Sequence, residues 1–382
     1  MNDITRPHHR ERVLTEVLER EYGLTVQDLQ PLPEQGLLGD VWTLNHTLIV
    51  KRPRLGGGAW QPEGNVLFSS LLMNALHGAG LPVPEVHPNL HRQYVTVVPN
   101  WGSVQVMTRL SAPPDGPSLP PRELAHLLGG HAAHISRAGT AWFRRQDLPA
   151  PLSRDPWSVD SIHTQLLHIF QLEEGSSASR QRHKLFQLAE RLKHHPLAPP
   201  ELTEELEDAG PLRALEECRW LARHPQRCVP DAVVHNDLKP GNVFIQSQPQ
   251  PSIVGSYDYT MASWCCLIRN VSSTYIDSGW FIEDRKGGTF DLLERLAAGH
   301  QQQLPLTAHH MQGIAVDLHT VALKKYMLRW NYWKGVLAGT TAGTDLAHIC
   351  MLKPLEFLKP LRETTLAMDA QHCLHDTLLT PY

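Results

Sequence analysis

One change of pattern divides this chain and constrains its fold more than any other feature. Before residue 109 the apolar residues fall in short β-prone runs broken by turn residues; after a proline-rich stretch at 113–121 most of them fall at helical spacing. In the first part, residues 10–22 place Val13, Val17 and Leu18 on one helical face and stop at Gly23, a residue suited to a left-handed helix end. Residues 29–32, 41–44 and 47–50 read as strands, separated by a glycine turn at Gly36 and Gly39 and by a polar Asn45-His46 hairpin. A helix over 63–76, carrying Leu67, Leu71 and Leu72, ends at His77-Gly78-Ala79-Gly80, and residues 94–98 and 104–108 add two more strands. In the second part helices are expected over 122–137, 158–195 and 202–223, around Phe290 and over 313–333. Three short strands, 232–234, 243–245 and 252–257, interrupt them. The order predicts an α+β chain in two lobes: a small antiparallel sheet with one helix over residues 1–112, preceded by an N-terminal helix, and a mainly helical lobe over 113–382.

Composition removes several function classes. The 382 residues carry 35 Lys and Arg against 39 Asp and Glu, a net charge of -4, so there is no broad basic field for nucleic acid. The 6 cysteines form no C-x-x-C pair, which argues against a disulfide framework or a zinc site. No apolar run is long enough to span a bilayer and the first residues lack an apolar leader, so a soluble, cytoplasmic protein is expected, with no membrane partner. The pattern does not disclose an oligomeric state.

The chemistry concentrates in Val233-Val234-His235-Asn236-Asp237-Leu238-Lys239-Pro240-Gly241-Asn242-Val243-Phe244-Ile245, where polar residues fill a loop between two apolar strands. Asp258 follows at the end of a third strand. This layout can bring Asp237, Asn242 and Asp258 to one cleft. An amide and a carboxylate are hard oxygen ligands that suit Mg²⁺, while a second carboxylate can orient a hydroxyl and accept its proton.

The loop His235-x-Asp237-x-x-x-x-Asn242, followed by Asp258-Tyr259, resembles the catalytic and metal motifs of the aminoglycoside phosphotransferase and choline kinase superfamily, whose fold is related to that of protein kinases. The resemblance extends upstream through the Gly36 to Gly39 turn, the strand Leu48-Ile49-Val50-Lys51, a helix, the Leu81-Pro82-Val83-Pro84-Glu85-Val86 segment and a hinge-like Val106-Met107-Thr108-Arg109-Leu110. It implies a bilobal kinase-like fold and an ATP-dependent transfer of phosphate to a small-molecule hydroxyl, with GTP the alternative nucleotide and Mg²⁺ the metal. By the same resemblance Asp237 is the catalytic base, and Asn242 and Asp258 hold the metal. Lys51 contacts the nucleotide phosphates with Glu63 as its acidic partner, and the turn at Gly36 and Gly39 offers backbone N–H groups to them. His235 orients the loop on the nucleotide side, and Lys239 stands where protein kinases place a phosphate-contacting lysine.

The chain departs from the family pattern in places. Thr260 stands where an acid often follows the aromatic residue, Glu63 comes early relative to the Leu-Pro-Val-Pro segment, and Asp277, a candidate structural aspartate, lies farther from Asp258 than is usual. Residues 263–273, with Cys265 and Cys266, read as an insertion near the substrate side. The rival readings are a protein kinase, disfavoured by the lack of an Ala-Pro-Glu segment after Asp258, and a catalytically weak nucleotide-binding or scaffolding relative.

Other motifs weigh less. Gly56-Gly57-Gly58 follows the lysine and lacks a Walker ending, so it reads as a connector. The paired histidines read as packing or solvated side chains, and Cys265 and Cys266 as buried thiols. Tyr326, Trp330 and Trp333 form a helical stripe that suits the core, or else walls a substrate pocket. Asp277, Glu283 and Asp284 are the acids available to attract an aminated acceptor.

Overall fold

The computed structural model describes residues 7–32, 39–53, 63–99, 101–113, 119–146, 155–195, 198, 200–224, 229–247 and 249–337. Gly36, the 56–58 glycines, Cys228, Cys350 and Cys373 lie outside them.

Helix α1 (Pro7–Tyr22) turns Leu14, Val17, Leu18 and Tyr22 onto a sheet face made by Trp42, Leu44, Val50, Val104 and Val106, and it ends at Gly23 with φ +66°. The sheet is antiparallel, in the order β1 (Leu29–Pro31), β2 (Gly39–Leu44), β3 (Leu48–Pro53), β6 (Gly102–Thr108), β4 (Val86–His87), with β5 (Thr96–Val98) also on β6. Asn45 and His46 both take positive φ, 48° and 58°, in the tight turn that joins β2 to β3 with Leu44 opposite Leu48.

Strand alternation sets the sheet between two layers. Val104 and Val106 of β6 face α1, whereas Gln105 and Met107 face α2 (Glu63–Gly78), where Gln105 Nε2 donates to Ser70 Oγ. Phe68, Leu72, Met73 and Leu76 of α2 belong to the same buried cluster as the helical region, so the sheet's inner helix is part of the large core.

The helical region contains α3 (Pro121–Phe143), α4 (Val159–Ile169), α5 (Ala178–Lys193), α6 (Pro200–Glu207), α7 (Gly210–Ala222), α8 (Arg269–Asp277), α9 (Trp280–Gly287), α10 (Asp291–Gln303) and α11 (Ala308–Leu337). The helix expected over 158–195 is two helices. Gln171 and Gly175 take positive φ, and Ser177 caps α5 by accepting a bond from the Arg180 amide. The run over 202–223 likewise breaks at Ala209, φ 54°. Helices α3 and α10 meet backbone to backbone: a Cβ on Gly129 would fall 2.0 Å from Leu296 O, and one on Gly299 1.9 Å from His126 O.

Two strand pairs sit within this region, β7 (Ala232–Val234) with β10 (Ser263–Cys265) and β8 (Val243–Gln246) with β9 (Ser252–Ser256). Residues 263–273, read above as an insertion near the substrate side, are built into the interior of the helical region. They supply the strand that pairs with β7 and the buried first half of α8, their side chains enclosed apart from a part-exposed Trp264. The far side of β7 is completed by α3, where Ser136 Oγ donates to Val233 O and Thr140 Oγ1 accepts from Val233 N, at 2.5 and 2.9 Å.

Candidate active site

The loop between β7 and β8 is fixed from three directions. His235 is fully enclosed. Its Nδ1 accepts the Asp237 amide at 3.3 Å, so Nε2 carries the proton donated to Tyr257 O at 3.2 Å. Burial lowers its pKa and keeps the ring neutral. His235 thus meets protein on all sides, and its two ring nitrogens tie the loop to the Tyr257 carbonyl.

Asn236 takes φ 63°, a conformation asparagine tolerates at a cost of about 1 kcal/mol. Its Nδ2 donates to Ser263 Oγ at 2.9 Å and its carbonyl accepts Lys324 Nζ at 2.7 Å. This strained residue directly precedes Asp237.

The Asp237 carboxylate receives Lys239 Nζ on both oxygens, at 3.0 and 2.9 Å, and Asn242 Nδ2 on Oδ2 at 2.9 Å. Burial alone would lower the Lys239 amine, but Asp237 and Asp277 raise it above its ordinary value. Because Asn242 Nδ2 is held by Asp237 O and Oδ2, the amide oxygen faces away from Asp237.

Asp258 follows β9 with φ 61°. Its strand is anchored where Ser256 N donates to Pro82 O at 2.8 Å, which gives the Leu-Pro-Val-Pro segment a structural task. Lys51 reaches from β3 of the sheet to place Nζ 2.7 Å from Asp258 Oδ1, and Thr260 Oγ1 donates to the same oxygen at 2.6 Å. Burial would raise the Asp258 carboxyl, but Lys51 and Thr260 hold it well below the usual carboxylate range.

A cation fits this donor set. Asn242 precedes β8 and Asp258 follows β9, on the paired ends of one hairpin, where Tyr257 N donates to Asn242 O at 3.1 Å. Together they offer one amide oxygen and one carboxylate, the hard ligands Mg²⁺ takes.

Hydrogen bonds join His235, Asp237, Lys239 and Asn242 to one another and to the Tyr257 backbone, and Lys51 meets Asp258, the next residue of the chain. Gly39 opens β2 opposite Pro53, Gly36 lies outside the described residues, and so does the side chain of Glu63 at the start of α2.

Sequence reasoning named Asp277 as a candidate structural aspartate but missed its partners behind the loop. Asp277 is buried at the end of α8 and paired with both Lys324 and Lys325 of α11, and Ser273 Oγ donates to it at 2.8 Å. A signal was present: two lysines inside the apolar run Val321-Ala322-Leu323-Lys324-Lys325-Tyr326-Met327 cannot both stay in a core without partners. Trp330 and Trp333 of that helix are core side chains, with Trp330 edge-on to Phe170 at 5.0 Å.

Asp231, Cys266 and His310 also converge, but they do not suit a metal. His310 Nδ1 accepts the Thr307 amide at 3.0 Å, so Nε2 holds the proton it donates to Asp231 at 2.8 Å. A metal at Nε2 would need the opposite tautomer.

Among solved structures, the microcompartment-associated aminopropanol kinase aligns with a TM-score of 0.54 at 17% identity, over 97% of this chain and 99% of that one. The amicoumacin kinase hAmiN, solved in complex with AMP-PNP, Ca2+ and Ami, aligns with a TM-score of 0.58 at 14% identity, over 96% of this chain and 97% of that one. These likenesses show the fold, a bilobal kinase-like α+β architecture. No curated protein matches the chain. The stretch that holds the Lys51 strand, the loop from His235 to Asn242 and Asp258 lies within residues 29–285, which match the model of the phosphotransferase enzyme family, and the chain belongs to that family.

Proposed function

We propose that the protein is an ATP-dependent O-phosphotransferase that phosphorylates a hydroxyl of a small molecule, with Asp237 as base and Asn242 and Asp258 as the Mg²⁺ ligands. One observation carries the reading: Lys51 of the sheet meets Asp258 at 2.7 Å, beside a loop in which Asn242 is bonded to Asp237. The two neighbours named above, a kinase of aminopropanol and one solved with AMP-PNP, support a nucleotide and a hydroxylated acceptor. GTP is the alternative donor. We place the lobe boundary at residues 112 and 113, and the reaction in the cytoplasm, where ATP is available; no described helix is long and apolar enough to cross a membrane.

In this mechanism the acceptor hydroxyl lies against Asp237, already aimed by His235 and Asn236. As the acceptor oxygen bonds to the γ-phosphorus, the bond from that phosphorus to the β,γ-bridging oxygen breaks. The hydroxyl proton passes to Asp237 and ADP leaves. Lys239 must release the carboxylate for this, and it is placed to follow the charge onto the transferred phosphoryl group. Lys51 exchanges Asp258 for nucleotide phosphate oxygens. A bound Mg²⁺ would neutralise phosphate charge beside Asn242 and Asp258.

The test is calorimetric binding of Mg·ATP together with ADP release over an acceptor panel. Binding with transfer is expected, and Asp237→Asn should keep nucleotide affinity while lowering kcat by ~10²–10⁴. Absence of nucleotide binding, or full turnover by the Asn variant, overturns the reading.

A further inference from the structure

Asn236 is held at its side chain by Ser263, and that bond has a support of its own outside the loop. The Ser263 hydroxyl carries one proton, which it donates to Asp155 Oδ1 at 3.2 Å. Its oxygen is left to accept, so the Asn236 amide meets it with Nδ2, at 2.9 Å. Asp155 thereby decides which end of the Asn236 amide faces Ser263. Asn236 and Ser263 are both buried, where breaking such a bond strands a polar group, and a bond to an ionised acceptor is the stronger kind.

Asp155 is itself fixed in place. Trp157 N donates to its Oδ1 at 2.9 Å and Cys265 Sγ to its Oδ2 at 3.4 Å. The enclosed Trp157 indole donates from Nε1 to Met261 O at 2.9 Å, in the turn Tyr259–Met261 that follows Asp258. Ser158 then caps α4 by accepting the Ser161 amide. The start of α4 is therefore fastened to β10 and to that turn, and it keeps the Asp155 carboxylate on Ser263.

The backbone at Asn236 needs such support. Its φ of 63° is a conformation that asparagine tolerates without preferring it, and relaxation there would turn the peptide that leads into Asp237. Lys324 holds the Asn236 carbonyl, and the chain from Asp155 through Ser263 holds its side chain.

We propose that Asp155 is a positioning residue for Asp237: through Ser263 it fixes the Asn236 side chain, and with it the backbone that presents the base. The assignment rests on the phosphotransferase reading and adds to it a residue from the start of α4, remote in sequence from the loop. Among the described residues Asp155 and Ser263 make no bond to Lys51, Asn242 or Asp258, so the effect falls on turnover and leaves nucleotide affinity alone.

The experiment uses the full chain with Mg·ATP, following ADP release with water, glycerol, glucose and 1-amino-2-propanol as acceptors, Mg·ATP affinity by calorimetry, and hydrogen exchange of residues 233–245, which needs no acceptor. Asp155→Ala and Ser263→Ala should each lower kcat by about tenfold or more and speed exchange in the loop, with KM for ATP, Mg·ATP affinity and the unfolding midpoint unchanged. Asp155→Asn keeps an acceptor oxygen for Ser263 and Trp157 N and should restore most of kcat. The double variant should be no slower than the slower single one, because both cut the same link. Ser263→Ala carries the test alone if Asp155→Ala fails to fold. Unchanged loop exchange, wild-type kcat in the single variants, effects that multiply in the double variant, or a loss of Mg·ATP affinity equal to the loss of kcat overturns the assignment and leaves the phosphotransferase reading standing. A wild-type chain that does not bind Mg·ATP removes both.

Discussion

The Lys51–Asp258 and Lys324–Asp277 pairs join the same residue types in opposite settings. The first spans the two lobes, with side chains 13% and 27% exposed and an N···O distance of 2.7 Å. The second lies within the helical lobe, 1% and 0% exposed, at 3.4 Å, and Lys324 spends its better bond on the Asn236 carbonyl at 2.7 Å. A pair at the edge of water can exchange partners cheaply; a pair without water cannot, because each freed charge would be stranded. The less enclosed pair is therefore the one free to change partners, as the proposed mechanism asks of it, and the enclosed pair holds Asn236, the residue before Asp237.

The sharpest way to break this contrast is to remove one lysine from each pair. Lys324→Met leaves Asp277 with Lys325 alone in the core and the Asn236 carbonyl without its donor, and should cost about 3–5 kcal/mol in denaturant unfolding. An unchanged unfolding midpoint would show that the enclosed pair is not structural. Lys51→Met should do the reverse, lowering kcat/KM for ATP by ~10²–10³ with a stability change of at most about 1 kcal/mol. Equal losses of stability in both variants would erase the distinction.

Acid tests the comparison from another side. Both aspartates are held well below the usual carboxylate range by their lysines, against the opposing effect of burial, so neither pair is the first thing that falling pH disrupts. The buried histidines are. Burial pushes His131 down to about 3 and His300 to about 4, so the unfolded chain binds protons more readily than the folded one. Their stabilisation is complete above a pH of about 6.5 and is lost as pH falls toward the folded values, by ~1.4 kcal/mol per pH unit for each ring. Unfolding measured from pH 7 to 4 should show this slope, and His300→Gln should flatten it by one ring's share. The smallest effect is expected at Thr260: Thr260→Val removes one bond to Asp258, worth about 1 kcal/mol, and should weaken Mg²⁺ dependence roughly fivefold in an activity titration.

The Lys51–Asp258 pair was legible in the sequence; of the second pair Asp277 was singled out as a candidate structural aspartate, but Lys324 was not. Asp237, Asn242 and Asp258 lie next to short apolar strands and Lys51 lies within one, so these runs mark them out and their order along the chain constrains their meeting. The strands over 232–234 and 243–246 could be read for the same reason. Lys324 and Asp277 lie on helices far apart in sequence, and only tertiary packing brings α8 beneath α11. Strand β4, two residues long, and strand β10 carry too little alternation to announce themselves. The break between α4 and α5 had a sequence sign in Ser177, overridden by the apolar residues on both sides.

The glycine contact between α3 and α10 has a consequence for how such a chain can evolve. An exposed position such as Glu283 can be exchanged with little disturbance. Positions 129 and 299 cannot. An alanine at either one must push the helices apart, since its Cβ would otherwise lie about 2 Å from a backbone oxygen. The helix pushed is the one whose Ser136 and Thr140 hold Val233, two residues before His235. A methyl group added at the back of the lobe would be felt at the loop from His235 to Asn242, which makes the seam a slow-changing part of the fold.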